Sequence, residues 1–381
     1  MTQSRCCGQL RGPSKAADAL MLLSATPHSG YDESFASLLN LLGPTLVPDL
    51  ERMNYRTYGR YLIRHLKRHI KRPDGSDFFV KSPPSLPLAV PLSEAEAAVH
   101  RAVAKQAGEL DAQAEKMKAV RDRYALRMVA TVLRKRAASS LAALRATIDS
   151  RMHNLGETAE KVEIRRDHLR SLRKGETIPD ADLTQLEIDL HRSFLSQIRA
   201  AGQKIRSIEQ EKEDLLELEE LVSHCPTDTE SKAEVLLAEL KRIHSSHPDD
   251  KVILFSEYTT TVEWLIGFLE GHGYEGRVVR FDGSLTRPER KQALADFAKP
   301  EILFLVSTDA ASEGLNLQEH CHRVMHYELP FNPNRMLQRQ GRVDRFGQTK
   351  SCEFAFLYAA DSRQDDHRSA KSRCEKTVSR P

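Results

Sequence analysis

Three arginines at intervals of three residues stand in the stretch QRQGRVDRFGQ, from Gln338 to Gln348. A helix would place Arg339, Arg342 and Arg345 along one face. Like charges at this spacing repel one another unless an anion lies opposite them. A solvated basic helix is the simpler alternative. The spacing therefore predicts an anionic partner, and the rest of the chain must indicate which anion that is.

The composition is that of a globular protein in a reducing compartment. With 381 residues the chain is long enough for two or three domains, and a net charge of +3 permits nucleic-acid binding without arguing for it. The six cysteines form no C-x-x-C pair, so neither a zinc site nor a disulfide framework is predicted. No stretch approaches the roughly 20 apolar residues of a membrane span. We expect a cytoplasmic protein with no membrane contact.

Short apolar runs alternate with amphipathic segments between residues 251 and 330. KVILF, RVVRF, EILFLVS and HRVMH are typical of strands, whereas TVEWLIGFLEG and RPERKQALADFA are typical of helices. This alternation predicts a parallel sheet in an α/β layer, and such sheets bind ligands outside the carboxyl ends of their strands. Ser256, Asp282, Thr308 and Pro330 fall at those ends.

The first 95 residues have a different texture. Leu20–Leu23 is an apolar run that predicts a buried strand, and Ser34–Leu42 has helical spacing that stops at Gly43-Pro44. The run Arg60–Arg72 is basic, which fits a solvated helix face and a phosphate contact equally well. The proline-rich Lys81–Ser93 predicts an extended connector.

The middle of the chain predicts long amphipathic helices. Proline is absent from Leu92 to Ile178, and a second helical stripe runs from about Asp182 to Val222. Both stretches are heavily charged on the opposite face, as helical hairpins and short coiled coils are. Such stripes are usually core or partner-helix surfaces, so we expect either packing within the chain or a protein partner here.

Five motifs occur in a fixed order along the chain: SATPHSG, ILFSEYTTTVEWL, RFDGSLTRPERKQALADF, LVSTDAASEGLNLQ and LPFNPNRMLQRQGRVDRFGQ. In this order they resemble the Swi/Snf-type ATPases of helicase superfamily two. The greatest likeness is to the RapA/HepA-like branch, which includes the helicase-like subunit of antiphage DISARM systems. The likeness covers the alternating segment almost completely and the first 44 residues in part.

The resemblance implies an α/β fold whose parallel-sheet, RecA-like C-terminal lobe follows a long helical insert and a remnant of the first lobe. The expected parts are 1–45, the first-lobe remnant; 46–95, a basic and proline-rich connector; 96–225, the helical insert; 226–362, the second RecA-like lobe; and 363–381, a polar tail expected to be disordered.

Members of this family close two RecA-like lobes on ATP with Mg²⁺ while they grip double-stranded DNA. The resemblance implies that Arg342 and Arg345 are arginine fingers facing the ATP phosphates, where a guanidinium contributes about 10³–10⁵ in rate. The other implied nucleotide contacts are Gln338, Gly341, Glu313 and Gly314. The implied DNA contacts are Ser256, Ser307, Thr308 and Asn316. The implied coupling residues are Ser24 and Thr26.

Local capping is the competing interpretation for Ser307 and for Asp309, since both could cap the helix expected after them. A side chain could cap the helix and also make the contact that the resemblance implies.

The chain contains no G-x-x-x-x-G-K-[ST] phosphate loop and no D-E-x-H sequence. We therefore expect the second-lobe half of an ATP-dependent DNA translocase, inactive without a polypeptide that carries the first lobe and its magnesium ligands. No metal ligand is assigned on this chain. The alternative is a non-catalytic DNA- or protein-binding remnant of such an enzyme.

Overall fold

The computed structural model describes residues 20–23, 32–43, 46–47, 49–50, 53–63, 67–118, 120–156, 208–309, 315–330 and 333–359. The chain divides into two compact units, one comprising residues 1–79 with 165–178 and the other residues 80–164 with 179–381.

The smaller unit is built around helix α1, Asp32–Leu42, which confirms the helix predicted from Ser34 to Leu42. Its buried Phe35 and Leu39 pack with Val47. Asn40 fixes that contact, because its side chain both donates to the Val47 carbonyl and accepts from the Val47 amide, each at 2.9 Å. A short helix, α2, follows at Tyr55–Tyr58.

The strand predicted at Leu20–Leu23 is wrong. These residues have no strand structure, and Met21 and Leu23 are 80% and 88% exposed. A strand is stable only when neighbouring strands take up its backbone groups. Among the described residues of this unit the only such pairing is a single bridge between Lys71 and Asp77.

The larger unit contains a six-stranded sheet in the order β1-β6-β5-β2-β4-β3. Every pair of neighbouring strands is parallel, which confirms the predicted α/β sheet. The strands are β1 Leu86–Val90, β2 Val252–Phe255, β3 Val278–Phe281, β4 Phe304–Ser307, β5 Arg323–His326 and β6 Glu353–Ala359.

Strand β1 comes from the proline-rich stretch that the sequence assigns to the connector. It pairs with β6, with Leu86 opposite Ala355 and Val90 opposite Ala359. Pro87 lacks an N–H donor, and an edge strand tolerates this because only one of its sides is paired. The sheet therefore recruits a segment that lies more than 150 residues before β2 in the sequence.

Helices cover both faces of the sheet. Helices α7, Ser231–Ser246, and α8, Thr259–Leu269, share a core with Val252 and Leu254 of β2. Helix α9, Arg287–Ala298, shares the opposite core with Ile253 and Phe255. The alternation along β2 follows from the two-residue period of a strand. Helix α10, Pro333–Gln340, precedes β6.

Four further helices pack together as a helical cluster, defined here as α3 Glu94–Glu115, α4 Val120–Ser139, α5 Leu141–Gly156 and α6 Ile208–Ser223. Their apolar stripes form one shared core that includes Leu110, Leu133, Leu144 and Leu218. A buried ion pair between Arg151 and Glu211, 2.8 Å long, joins α5 to α6. Residues 182–207 of the second predicted helix lie outside the described residues. None of the described helices is both long and apolar enough to span a bilayer.

Candidate functional site at the carboxyl edge of the sheet

The arginine-rich segment is a helix followed by a turn. Helix α10 ends at Gln340, and hydrogen bonds from Arg342 N to Arg339 O (3.1 Å) and from Val343 N to Gln340 O (3.1 Å) form the turn. Val343 is fully buried and anchors the turn in the core. A side chain at Gly341 would place its Cβ 3.1 Å from the Leu337 carbonyl, so the turn needs a glycine there.

The sequence spacing predicts that the three arginines lie along one helical face. This prediction is wrong, because the helix ends at Gln340 and Arg342 and Arg345 lie in the turn after it. Arg339 points into the protein and has no exposed surface. Its Nε donates to Asp309 Oδ1 at 2.5 Å, and its guanidinium lies 5.2 Å from the centre of the Phe255 ring. The anion opposite Arg339 is thus supplied by the chain itself, at the carboxyl end of β4.

The guanidinium of Arg339 is only partly satisfied. Neither Nη1 nor Nη2 has a hydrogen-bond acceptor within the part of the chain that the structure describes. Asp309 has no oxygen to spare, because its Oδ2 accepts from Arg335 Nη1 at 2.7 Å. A buried cation with unpaired N–H groups is costly, which makes this edge of the sheet electrostatically unbalanced.

His326, at the end of β5, adds to that imbalance. It is fully buried, stacks at 6.2 Å on Phe255, and in the described structure neither ring nitrogen has a partner. Burial, reinforced by the charge of Arg339, holds the pKa of His326 well below its usual value of 6.5. The ring is therefore neutral at physiological pH, and Arg339 carries the positive charge here.

Arg342 and Arg345 lie at the surface of the same turn, half-buried. Arg342 Nε donates to the carbonyl of Gln338 at 3.2 Å. Arg345 Nη1 donates to Asn316 Oδ1 at 2.6 Å and to the Leu315 carbonyl at 3.4 Å. All of these acceptors are neutral oxygens. The end of α10 and its turn thus carry the predicted residues Gln338, Gly341, Arg342 and Arg345, and Arg345 contacts the predicted residue Asn316 on the neighbouring loop.

The predicted DNA contacts Ser256, Ser307 and Thr308 follow neighbouring strands but are buried. Ser307 Oγ donates to the Thr308 carbonyl at 2.7 Å, and Ser256 Oγ accepts from Tyr258 N at 3.3 Å. Both bonds are local. Ser307 Oγ donates to a carbonyl, whereas a helix cap accepts from a backbone N–H, so this bond is not the predicted cap. The DNA role of the three residues stays a prediction. Glu313, Gly314, Ser24 and Thr26 lie outside the described residues.

Several residues of this edge carry no assignment from the sequence. Arg335 lies one helical turn before Arg339, and this i, i+4 spacing could have indicated a shared carboxylate. The sequence assigns Asp309 only a helix-capping role, although an acidic residue just after a strand is also well placed to bind such a pair. Within the described ranges no group of three or more His, Cys, Asp or Glu side chains is arranged to hold a metal ion.

Comparison with known proteins defines the class. Residues 231–347 match the family model described as "Helicase conserved C-terminal domain". The "Uncharacterized ATP-dependent helicase YqhH" of Bacillus subtilis is 41% identical over 102 residues, which cover 27% of this chain and 18% of that protein. The human "DNA repair and recombination protein RAD54B" is 36% identical over 126 residues, which cover 32% of this chain and 14% of that protein.

Among solved structures, the "Sulfolobus solfataricus SWI2/SNF2 ATPase C-terminal domain" aligns with a TM-score of 0.43 and 12% identity, covering 79% of this chain and 88% of that one. The family match and the sheet make residues 231–347 the C-terminal lobe of a helicase. This match agrees with the helicase family that the motifs predict. The match spans less than a fifth of the length of these two curated relatives.

Proposed function

We propose that this chain supplies the second lobe of an ATP-dependent translocase of double-stranded DNA, with Arg342 and Arg345 facing the ATP triphosphate. The observation that carries the proposal is the state of Arg345. It lies half-buried in the turn after α10, and its hydrogen bonds go to the neutral oxygens of Asn316 and Leu315. No described carboxylate pairs with it, so among the described residues its charge is oriented without being neutralised.

The chemistry of phosphoryl transfer suits such a group. Negative charge spreads over the equatorial phosphate oxygens in the transition state, and a guanidinium fork placed there lowers the barrier. Gly341 permits close approach of the backbone, and the exposed Gln338 adds a neutral hydrogen-bonding group. Phe346, 71% exposed beside Arg345, gives the same surface an apolar patch that a second lobe would cover.

The described edge suits the triphosphate better than the magnesium ion that accompanies it. Both oxygens of Asp309, the carboxylate that Arg335 and Arg339 share, are occupied. Mg²⁺ in phosphoryl-transfer sites is usually held by one or two carboxylates together with phosphate oxygens. We therefore assign the magnesium ligands and the phosphate loop to a first lobe that these 381 residues do not include. The isolated chain should bind ATP poorly and hydrolyse it negligibly.

Double-stranded DNA is the expected track because a relative of this lobe is named a DNA repair and recombination protein. Asn316 is the exposed candidate for a DNA contact. A phosphate contact by Ser256, Ser307 or Thr308 requires the strand ends to open, since all three are buried in this structure.

The test is DNA-stimulated ATP hydrolysis by the full chain mixed with the product of the adjacent upstream reading frame. Arg345→Lys keeps the charge but loses the fork, and we expect kcat to fall about 10³-fold. Arg242→Lys is the matched control, because Arg242 makes an exposed pair with Glu239 on α7 at 2.7 Å. It should leave kcat unchanged.

Full activity of Arg345→Lys would reject the arginine-finger role. Turnover by the isolated chain that depends on Arg345 would reject the need for a second polypeptide.

DNA binding supplies a separate check. Affinity for duplex DNA should fall steeply with salt, as phosphate contacts require. Salt-independent binding would instead support the alternative of a protein-binding remnant, which no observation on the described residues favours.

A further inference from the structure

The helical cluster touches the sheet at the carboxyl edge, where the candidate site lies. The contact is made by the joint between α4 and α5. Ser139 Oγ and Ser140 Oγ lie 2.9 Å and 2.8 Å from Thr261 Oγ1 at the start of α8. Ser139 Oγ also donates to Glu328 Oε2, beyond β5, at 3.3 Å. These side chains are buried, so the joint is a fixed contact.

Lys232 of α7 contacts the same joint. Its ammonium donates to the carbonyls of Ala138 at 2.6 Å and Ser139 at 2.9 Å, at the end of α4, where a helix leaves its last carbonyls without intrahelical partners. It also lies 4.3 Å from the centre of the Tyr327 ring. The end of α4 is therefore held in place by hydrogen bonds to the sheet lobe.

A series of charges of alternating sign begins one turn earlier on α4. Lys135 Nζ donates to Glu257 Oε2 at 3.4 Å, and Glu257 Oε1 lies 3.9 Å from Arg335 Nη1. Arg335 Nη1 donates to Asp309 Oδ2 at 2.7 Å, and Asp309 Oδ1 accepts from Arg339. We call Lys135, Glu257, Arg335, Asp309 and Arg339 the charge path.

The carboxylates of the charge path are nearly dry, whereas two of its cations are partly exposed. The side chains of Glu257 and Asp309 are 9% and 8% exposed and that of Arg339 has no exposure, but those of Lys135 and Arg335 are 32% and 37% exposed. Electrostatic interactions strengthen as water is excluded, so a displacement of Lys135 is felt by the shielded carboxylate of Glu257 more than by a carboxylate at the surface. Arg335 can respond because it contacts two carboxylates, Glu257 and Asp309.

We infer that the helical cluster positions the arginine-bearing helix α10 through the charge path, with Lys135, Glu257 and Arg335 as positioning residues. A partner that shifts α4 would thereby change how Arg342 and Arg345 are presented. The consequence for ATP hydrolysis rests on the proposed function. The mechanical link can be tested on the chain alone.

The experiment is hydrogen exchange of the full chain, read at the backbone amides of residues 333–348. Lys135→Met removes the ammonium and keeps most of the aliphatic stem. We expect exchange in residues 333–348 to rise about threefold, the size of effect that a partly exposed ion pair supports. These amides belong to α10 and its turn rather than to α4, so local fraying of α4 would not change them.

Arg134→Met is the matched control. Arg134 is the neighbour of Lys135, but its 2.7 Å ion pair is with Asp111 inside the helical cluster. It should leave exchange in residues 333–348 unchanged. Lys135→Arg, which can still reach Glu257, should restore protection. The double variant Lys135→Met with Arg335→Met should exchange no faster than Arg335→Met alone, because both changes interrupt one path.

Unchanged exchange in residues 333–348 of Lys135→Met would overturn the inference. So would an equal increase in Arg134→Met, which would show general loosening instead of a specific link. The measurement needs no ATP. An inactive reconstituted enzyme would therefore count against the proposed function and leave the exchange result as it stands.

Discussion

The two edges of the sheet handle charge in opposite ways. At the amino edge, formed by the residues just before β2, β5 and β6, Asp250 accepts from Arg323 Nε at 3.0 Å and from Lys350 Nζ at 3.2 Å. His322 lies 3.5 Å from the same carboxylate. At the carboxyl edge, Arg339 has two N–H groups without acceptors among the described residues. In the turn after α10, Arg345 donates to neutral oxygens, and no described carboxylate pairs with it.

The two edges differ in how completely their charges are paired. The amino edge satisfies Arg323 and Lys350 with its own carboxylate, and Lys251 there donates to backbone carbonyls. Among the described residues, the carboxyl edge has donors on Arg339 that lack acceptors. Parallel sheets place ligands at this second edge. The predictions below measure whether the difference in pairing is a difference in energy, beginning with the largest expected effect.

Arg339→Met should produce the largest loss of stability. The substitution leaves the buried Asp309 with Arg335 as its remaining cation, and removing one partner of a buried pair typically costs about 3 kcal/mol or more. Arg323→Met at the amino edge should lose about half as much, since Asp250 keeps Lys350 and His322. Urea unfolding of both variants measures the difference. A larger loss in Arg323→Met would show that the two edges have been ranked in the wrong order.

The histidines of the two edges and the carboxylate of Asp250 should lose stability in different ranges of pH. At the amino edge, burial lowers the pKa of His322 below 6.5, as it does that of His326 at the carboxyl edge. Burial, then Arg339, lowers the pKa of His326 below its usual 6.5. A lowered histidine pKa contributes stability that is present above pH 6.5 and is lost as the pH falls toward the folded-state pKa. Burial raises the pKa of Asp250, but the bonds from Arg323 and Lys350 outweigh it and hold the value below 3.8. Its contribution is lost only below that pH.

His326→Phe tests this difference. The variant should reduce the slope of unfolding free energy against pH below 6.5, where each uncompensated proton contributes about 1.4 kcal/mol per pH unit. His100, whose pKa burial lowers to about 4, adds a slope of its own, so the comparison is between variants. His153→Phe, at an exposed position on α5, is the control. Equal slopes in wild type and His326→Phe would show that His326 does not contribute to the pH dependence of stability.

Lys251→Met tests the amino edge of the sheet. Its ammonium donates to the carbonyls of Phe297 and Ile302, each at 2.7 Å, and to that of Lys299. Loss of these donors should lower the unfolding free energy by about 2 kcal/mol, because buried carbonyls without partners are costly. Lys241→Met, at an exposed position on α7, should change it little. Similar urea midpoints for the two variants would mean that solvent replaces the ammonium without loss.

The regular part of the lobe is predictable because its signals are local. Each strand from β2 to β5 is a short apolar run, and the helices between them carry their own periodicity, with the Thr286–Glu289 capping box marking the start of α9. The motif around Arg345 is equally legible in the sequence. These local signals agree with the folded structure, because a buried parallel sheet requires apolar strands.

What sequence could not predict depends on contacts between distant residues. Pro87 lies in a strand only because β6 offers it an edge, and the sequence contains no register for that pairing. Arg339, Arg342 and Arg345 are equally spaced in the sequence, but α10 ends at Gln340, between the first and the second of them. Arg339 therefore lies on the helix and binds the buried Asp309, whereas the other two lie in the turn. Leu20–Leu23 has the composition of a strand but no strand neighbour within the described part of its unit.

Arg345→Met should have the smallest effect on stability of the variants considered, within about 0.5 kcal/mol. Arg345 is half-buried, and its two hydrogen bonds are to a carbonyl and an amide oxygen that water can also satisfy. If Arg345→Met lost as much unfolding free energy as Lys251→Met in the same urea titration, Arg345 would be a structural residue. The difference in stability between the two groups of cations would then be absent. A negligible loss, together with the expected fall in kcat, would mean that the protein holds this guanidinium in place without depending on it to fold. That combination is the energetic signature of a side chain whose partner is supplied by another molecule.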